Sequence, residues 1–99
     1  MPRPTLLSAT AREEGLSALP NWTLSADGKS IQRRCRFADF AAAFAFMTEV
    51  AREAEALDHH PDWRNVYNQV EISLTTHDAG GLTALDLALA HKIDQQLST

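Results

Sequence analysis

The sequence predicts an α+β domain: a four-stranded antiparallel sheet with three helices on one face, in the order α-β-β-α-β-β-α. Two stretches, residues 22–37 and 62–77, are rich in side chains that alternate apolar with polar, the period of strands with one buried face. Three others carry helix signals, either capping residues or apolar residues recurring every three and four positions. Runs of strands and helices ordered in this way suit a sheet covered on one side. Ninety-nine residues leave room for one core and one site, so residues 1–99 are read as a single domain, with disorder expected at about residues 1–8.

The first helix is expected over about Ala11–Leu19. Thr10 and Glu13 have the spacing of a capping box, Gly15 weakens the segment and Pro20 ends it. Trp22 and Leu24 then alternate with polar residues, Asp27-Gly28 marks a turn, and Ile31, Cys35 and Phe37 alternate with Gln32, Arg34 and Arg36, which makes a β-hairpin. From Ala38 the period lengthens. Phe40, Phe44, Met47, Ala51 and Ala54 form one stripe of a long amphipathic helix, with Glu49, Arg52, Glu53 and Glu55 on the remaining face. That helix must stop near His60, because Pro61 disfavours a helical residue before it.

The stretch "DWRNVYNQVEISLTTH" is extended, with a tight turn expected at Asn68-Gln69, since asparagine tolerates the left-handed conformation of a two-residue loop. Val70, Ile72 and Leu74 then point to the core, and Glu71, Ser73, Thr75 and His77 share the opposite face. Gly80-Gly81 turns the chain. Thr83 and Asp86 form a second capping box, opening a final helix with Leu85, Leu89, Ile93 and Leu97 on one side.

Composition excludes several functions. A net charge of -4 argues against nucleic-acid binding, which needs clustered Lys and Arg. The one basic run, "RRCR", is read as a solvated strand face. No apolar stretch approaches the roughly 20 residues of a membrane span. A lone cysteine and no leader-like opening point to the cytoplasm. Cys35, in a strand interior and far in sequence from any histidine, is expected to be inert.

Three of the four histidines, His59, His60 and His77, lie between Glu55 and Gly80, while His91 belongs to the exposed side of the last helix. Glu55 and His59 are four residues apart, so a helix persisting that far puts a carboxylate beside an imidazole. Histidine titrates near neutrality, and general acid–base chemistry uses all three rings. A structural role at a helix C-terminus competes for His59 and His60. Three imidazoles can also hold zinc, but adjacent ligands are poorly spaced and no HExxH pattern occurs, so no metal is expected.

Glu55, His59-His60-Pro61, Tyr67, His77 and Asp86 together resemble the pattern of the pterin-4a-carbinolamine dehydratase family. The similarity runs from roughly Thr10 to Gln96 and includes "FADFAAAFAFMTEVA" and "LDHHPDWRNVYNQVEISLTTHDAGGLT". The resemblance implies a hydro-lyase that dehydrates 4a-hydroxytetrahydropterin to quinonoid dihydropterin, recycling the tetrahydrobiopterin of aromatic amino acid hydroxylases. The pterin is the substrate, and no cofactor is implied. His60 and His77 would do acid–base work, His59 would bind or orient, Glu55 would tune them, and Trp63 would line the pterin pocket. Animal members carry an arginine where this chain has Leu85, so that contact is absent, and Asp86 is assigned mainly to its cap. Relatives form homodimers or homotetramers, which also suits a sheet with open edges. The alternative is a non-catalytic protein-binding module, since similar proteins serve as dimerisation cofactors for a homeodomain transcription factor or in RuBisCO assembly.

Overall fold

In the computed structural model, which describes residues 4–98, the chain runs α1 (Ala9–Ser17), β1 (Thr23–Leu24), β2 (Ile31–Arg36), α2 (Phe40–Leu57), β3 (Asp62–Val66), β4 (Gln69–Leu74), a single 3-10 turn (His77–Ala79) and α3 (Ala84–Leu97). The strands form one sheet in the order β1-β2-β4-β3, every neighbouring pair antiparallel. Ile31, Cys35, Val70, Ile72 and Leu74 are buried against the helices, and Gln32, Arg34, Arg36 and Gln69 alternate with them on the exposed face. The expected fold class and element order are therefore the observed ones.

Several local expectations shift. Of the start expected to be disordered, residues 1–3 lie outside the described residues. Leu7 donates its backbone N–H to the Leu82 carbonyl at 2.9 Å and packs on the core. The cap of α1 is Ser8, whose hydroxyl accepts from Ala11 N–H, and Thr10 lies inside the helix, so the expected Thr10–Glu13 box is displaced by a nearer hydroxyl. In the second hairpin the loop is Tyr67-Asn68, one residue earlier than expected, because Val66 pairs with Gln69. Tyr67 takes the left-handed conformation at φ 49°. Asn68 is held otherwise: its side-chain amide donates to the Phe37 carbonyl at 2.9 Å, and its own carbonyl accepts from Phe37 N–H at 2.8 Å.

The largest revision concerns α2. Its buried stripe is Ala43, Phe46, Val50 and Ala54, whereas Phe40 and Phe44 of the expected stripe are 47% and 55% exposed. The apolar arc of this helix is wider than its contact with α3 and β4, and only packing decides which part of that arc turns inward. On α3 the inward side is Asp86, Leu89, Ala90 and Ile93, with Leu85 and Leu97 half-buried at its margin.

The basic run divides as strand alternation requires. Arg34 and Arg36 are exposed, but Arg33 turns inward to bond Asp94 of α3 at 2.6 Å, and Trp22 Nε1–H donates to the same carboxylate at 2.8 Å. This trio ties β2 and the residue just before β1 to the last helix. Beside it, burial pushes the Cys35 thiol above its ordinary value. The thiolate is the reactive form. Aromatic disulfide reagent at pH 8 is therefore expected to leave Cys35 unlabelled in the native protein and to label it promptly in denaturant; prompt native labelling would show that this part of the core opens.

Candidate active site

The end of α2 sets the site. Asp58 takes the left-handed conformation (φ 50°, ψ 43°), its N–H donates to Glu55 O at 3.1 Å, and His59 N–H donates to Ala54 O at 3.0 Å. This pair of bonds is a Schellman closure, with aspartate in the place glycine usually takes. The helix thus stops at Leu57, before the proline. The reversal redirects the two histidines, and each finds a different carboxylate from the one spacing suggests.

His59 is buried, and its Nε2 lies 2.6 Å from Oδ1 of Asp86, itself 0% exposed at the start of α3. Glu55 bonds His60, not His59, with Nε2 to Oε1 at 2.6 Å on the surface. The i, i+4 argument failed because His59 has left the helix, so the helical offset no longer describes its position. Asp86 was assigned mainly to its cap. It does cap α3, accepting from Thr83 N–H at 2.9 Å through Oδ2, but its other oxygen is the partner of His59. The signal available in the sequence was a carboxylate in an apolar helix stripe, which burial makes tolerable only when it is hydrogen-bonded.

His77 does not lie on the polar face of β4. That strand ends at Leu74; Thr76 and Gly81 then bridge, with Thr76 N–H to Gly81 O at 2.9 Å, and His77 opens the short turn between them. Gly80 closes this turn at φ 77°. The first hairpin buttresses it, since Thr75 Oγ1 donates to Lys29 O at 2.6 Å.

His59, His60 and His77 line one open cavity of about 260 Å³ together with Asp58, Thr75, Thr76 and Asp78. Its size is just below the roughly 300–1,000 Å³ of pockets for drug-sized ligands. Trp63 does not line it. β3 places Trp63 opposite Ile72, packed on the core and beside a different cavity of about 350 Å³ bounded by Arg34, Arg64 and Glu71. Among the described residues no group of three His, Cys, Asp or Glu side chains is arranged to hold a metal ion, and no helix is long and apolar enough to cross a membrane.

The chemistry of this cavity follows from donor counting. A carboxylate only accepts, so Asp86 and Glu55 each receive an N–H from Nε2 of their histidine, and Nδ1 of each ring is left to face other partners. His77, exposed, has no side-chain hydrogen bond to the described residues. The site thus offers one buried, oriented imidazole and two accessible ones.

Comparisons with known proteins point to one family. The family described as pterin 4 alpha carbinolamine dehydratase matches residues 5–96. A Mesorhizobium japonicum protein bearing the name putative pterin-4-alpha-carbinolamine dehydratase is 56% identical over 88 residues, covering 89% of this chain and 90% of its own. A Sinorhizobium fredii protein of the same name is 54% identical over 93 residues, covering 94% and 89%. The crystal structure of a transcriptional coactivator/pterin dehydratase from Brucella melitensis superposes with a TM-score of 0.87 at 41% identity, covering 91% of this chain and 96% of that one.

Proposed function

This chain belongs to the pterin-4a-carbinolamine dehydratase family, and from that premise we propose that it is a hydro-lyase acting on a 4a-hydroxytetrahydropterin at the His59–His60–His77 cavity. The observation that carries the reading is the convergence of three imidazoles from two chain segments on one small cavity. Dehydration breaks the C4a–O bond. One proton goes to the departing hydroxyl, which leaves as water, and one comes off the pterin ring nitrogens, giving a quinonoid dihydropterin with no change of redox balance. Both transfers need groups that exchange protons near neutral pH.

His60 and His77, the accessible rings, carry the two transfers. His59, fixed to Asp86, binds and orients the heterocycle, and Glu55 positions His60. Trp63, which lines another cavity, has no part in this assignment. The product would return to tetrahydrobiopterin, supporting an aromatic amino acid hydroxylase, and the protein would work in the cytoplasm as a homodimer or homotetramer.

A second reading, protein binding, is favoured by Phe40 and Phe44, exposed side by side on α2 with ring centroids 5.7 Å apart. It is compatible with catalysis. Following the loss of the carbinolamine by absorbance separates them: the wild type is expected to accelerate dehydration, and His60→Ala to lose roughly 10²–10⁴-fold of that rate. Equal rates for both proteins, at the uncatalysed level, would leave binding as the function.

A further inference from the structure

We propose that Thr76 is a positioning residue: its hydroxyl, acting through Asp86, determines which ring nitrogen of His59 carries the proton. This rests on the reading that His59 belongs to the pterin site, but the hydrogen-bond argument is independent of it.

Thr76, Thr83, Asp86 and His59 are 6%, 0%, 0% and 8% exposed, so they satisfy one another. Thr76 Oγ1 lies 2.8 Å from Asp86 Oδ2 and 2.8 Å from Thr83 Oγ1. Thr83 Oγ1 also accepts from Leu85 N–H at 3.3 Å, and Asp86 Oδ2 accepts from Thr83 N–H at 2.9 Å.

Each hydroxyl has one hydrogen. If Thr83 O–H donates to Thr76 and Thr76 O–H donates to Asp86, every buried hydrogen has an acceptor and Asp86 is a carboxylate. Reversing the direction has Thr76 donate to Thr83, strands the Thr83 hydrogen at a fully buried oxygen, and requires a proton on Asp86 to keep the 2.8 Å contact. The first arrangement is the satisfied one. An ionised Asp86 then takes the Nε2–H of His59 on Oδ1, at 2.6 Å, which leaves Nδ1 as the lone-pair nitrogen.

Thr76 is also the residue whose backbone closes the His77 turn against Gly81. One residue therefore anchors the turn that holds His77 and orients the carboxylate that holds His59. The cap of α3 and the site are a single hydrogen-bonded unit.

Long-range proton–nitrogen correlation of the imidazoles at neutral pH tests this. In the wild type, neutral His59 is expected as the Nε2–H tautomer; a predominant Nδ1–H form would overturn the proposal without any variant. Thr76→Val, which keeps the shape and removes the hydroxyl, is expected to give mixed tautomers and a kcat lower by roughly 10- to 100-fold, the worth of a hydrogen bond to a charged group. Thr76→Ser is expected to restore both. A folded Thr76→Val variant with the wild-type tautomer, or a Thr76→Ser variant with the wild-type fold and mixed tautomers, would also overturn it. A wild type showing the Nε2–H form without dehydrating the pterin would remove the proposed function and leave the relay standing.

Discussion

Asp86→Ala is expected to lower the stability of the protein by about 3–5 kcal/mol, since buried donors left without an acceptor cost roughly 1–3 kcal/mol apiece. Three donors lose their acceptor at once: His59 Nε2–H, Thr76 O–H and Thr83 N–H. The Thr83 N–H bond is the reciprocal half of the α3 capping box, while the Thr83 hydroxyl still accepts from Leu85 N–H. Asp86→Asn keeps the shape but turns one acceptor into a donor, so one of the same contacts becomes repulsive. It is expected to fall between alanine and wild type in stability, with dehydration rate lost out of proportion. Urea unfolding with an unchanged m-value and a lower midpoint is the signature to look for. A midpoint within experimental scatter of wild type for Asp86→Ala would mean that the buried carboxylate does not hold α3 and the α2 end together.

His77→Ala is expected to reduce kcat by roughly 10²–10⁴-fold while leaving the fold intact, because the ring is exposed and bonds no described side chain. His60 and His77 would serve two halves of one dehydration, so their losses are not expected to add. The double variant should be little worse than the poorer single one, as when residues act as a unit. Single-turnover measurement of carbinolamine decay on the three variants decides this. Additive losses would indicate independent steps, and an unaffected His77→Ala would confine the chemistry to His60 and its Glu55 partner.

Much of the fold was legible because it depends on local periodicity. Alternation along Ile31–Arg36 and Gln69–Leu74 separated buried from exposed positions before any pairing was known, and it placed Cys35 in the core. The Thr83–Asp86 box marked the start of α3 at its observed position. Phase was less legible than period. On α2, Phe40 and Phe44 match a helical stripe as well as Ala43, Phe46 and Val50 do, and the choice between them belongs to α3 and β4, which lie far away in sequence. The hairpin loop moved by one residue for a similar reason: Asn68 is drawn to the Phe37 carbonyl across 31 positions.

The chain by itself determined the elements, their order and the histidines that line the candidate cavity, since residue type and spacing act over a few positions. Their partners were decided only in three dimensions. The left-handed Asp58 ends the helix before its spacing can join Glu55 to His59, handing His60 to Glu55 and His59 to an aspartate 27 positions away. A buried carboxylate takes whichever donors the packed core brings within reach, and that reach is a property of the assembled layers.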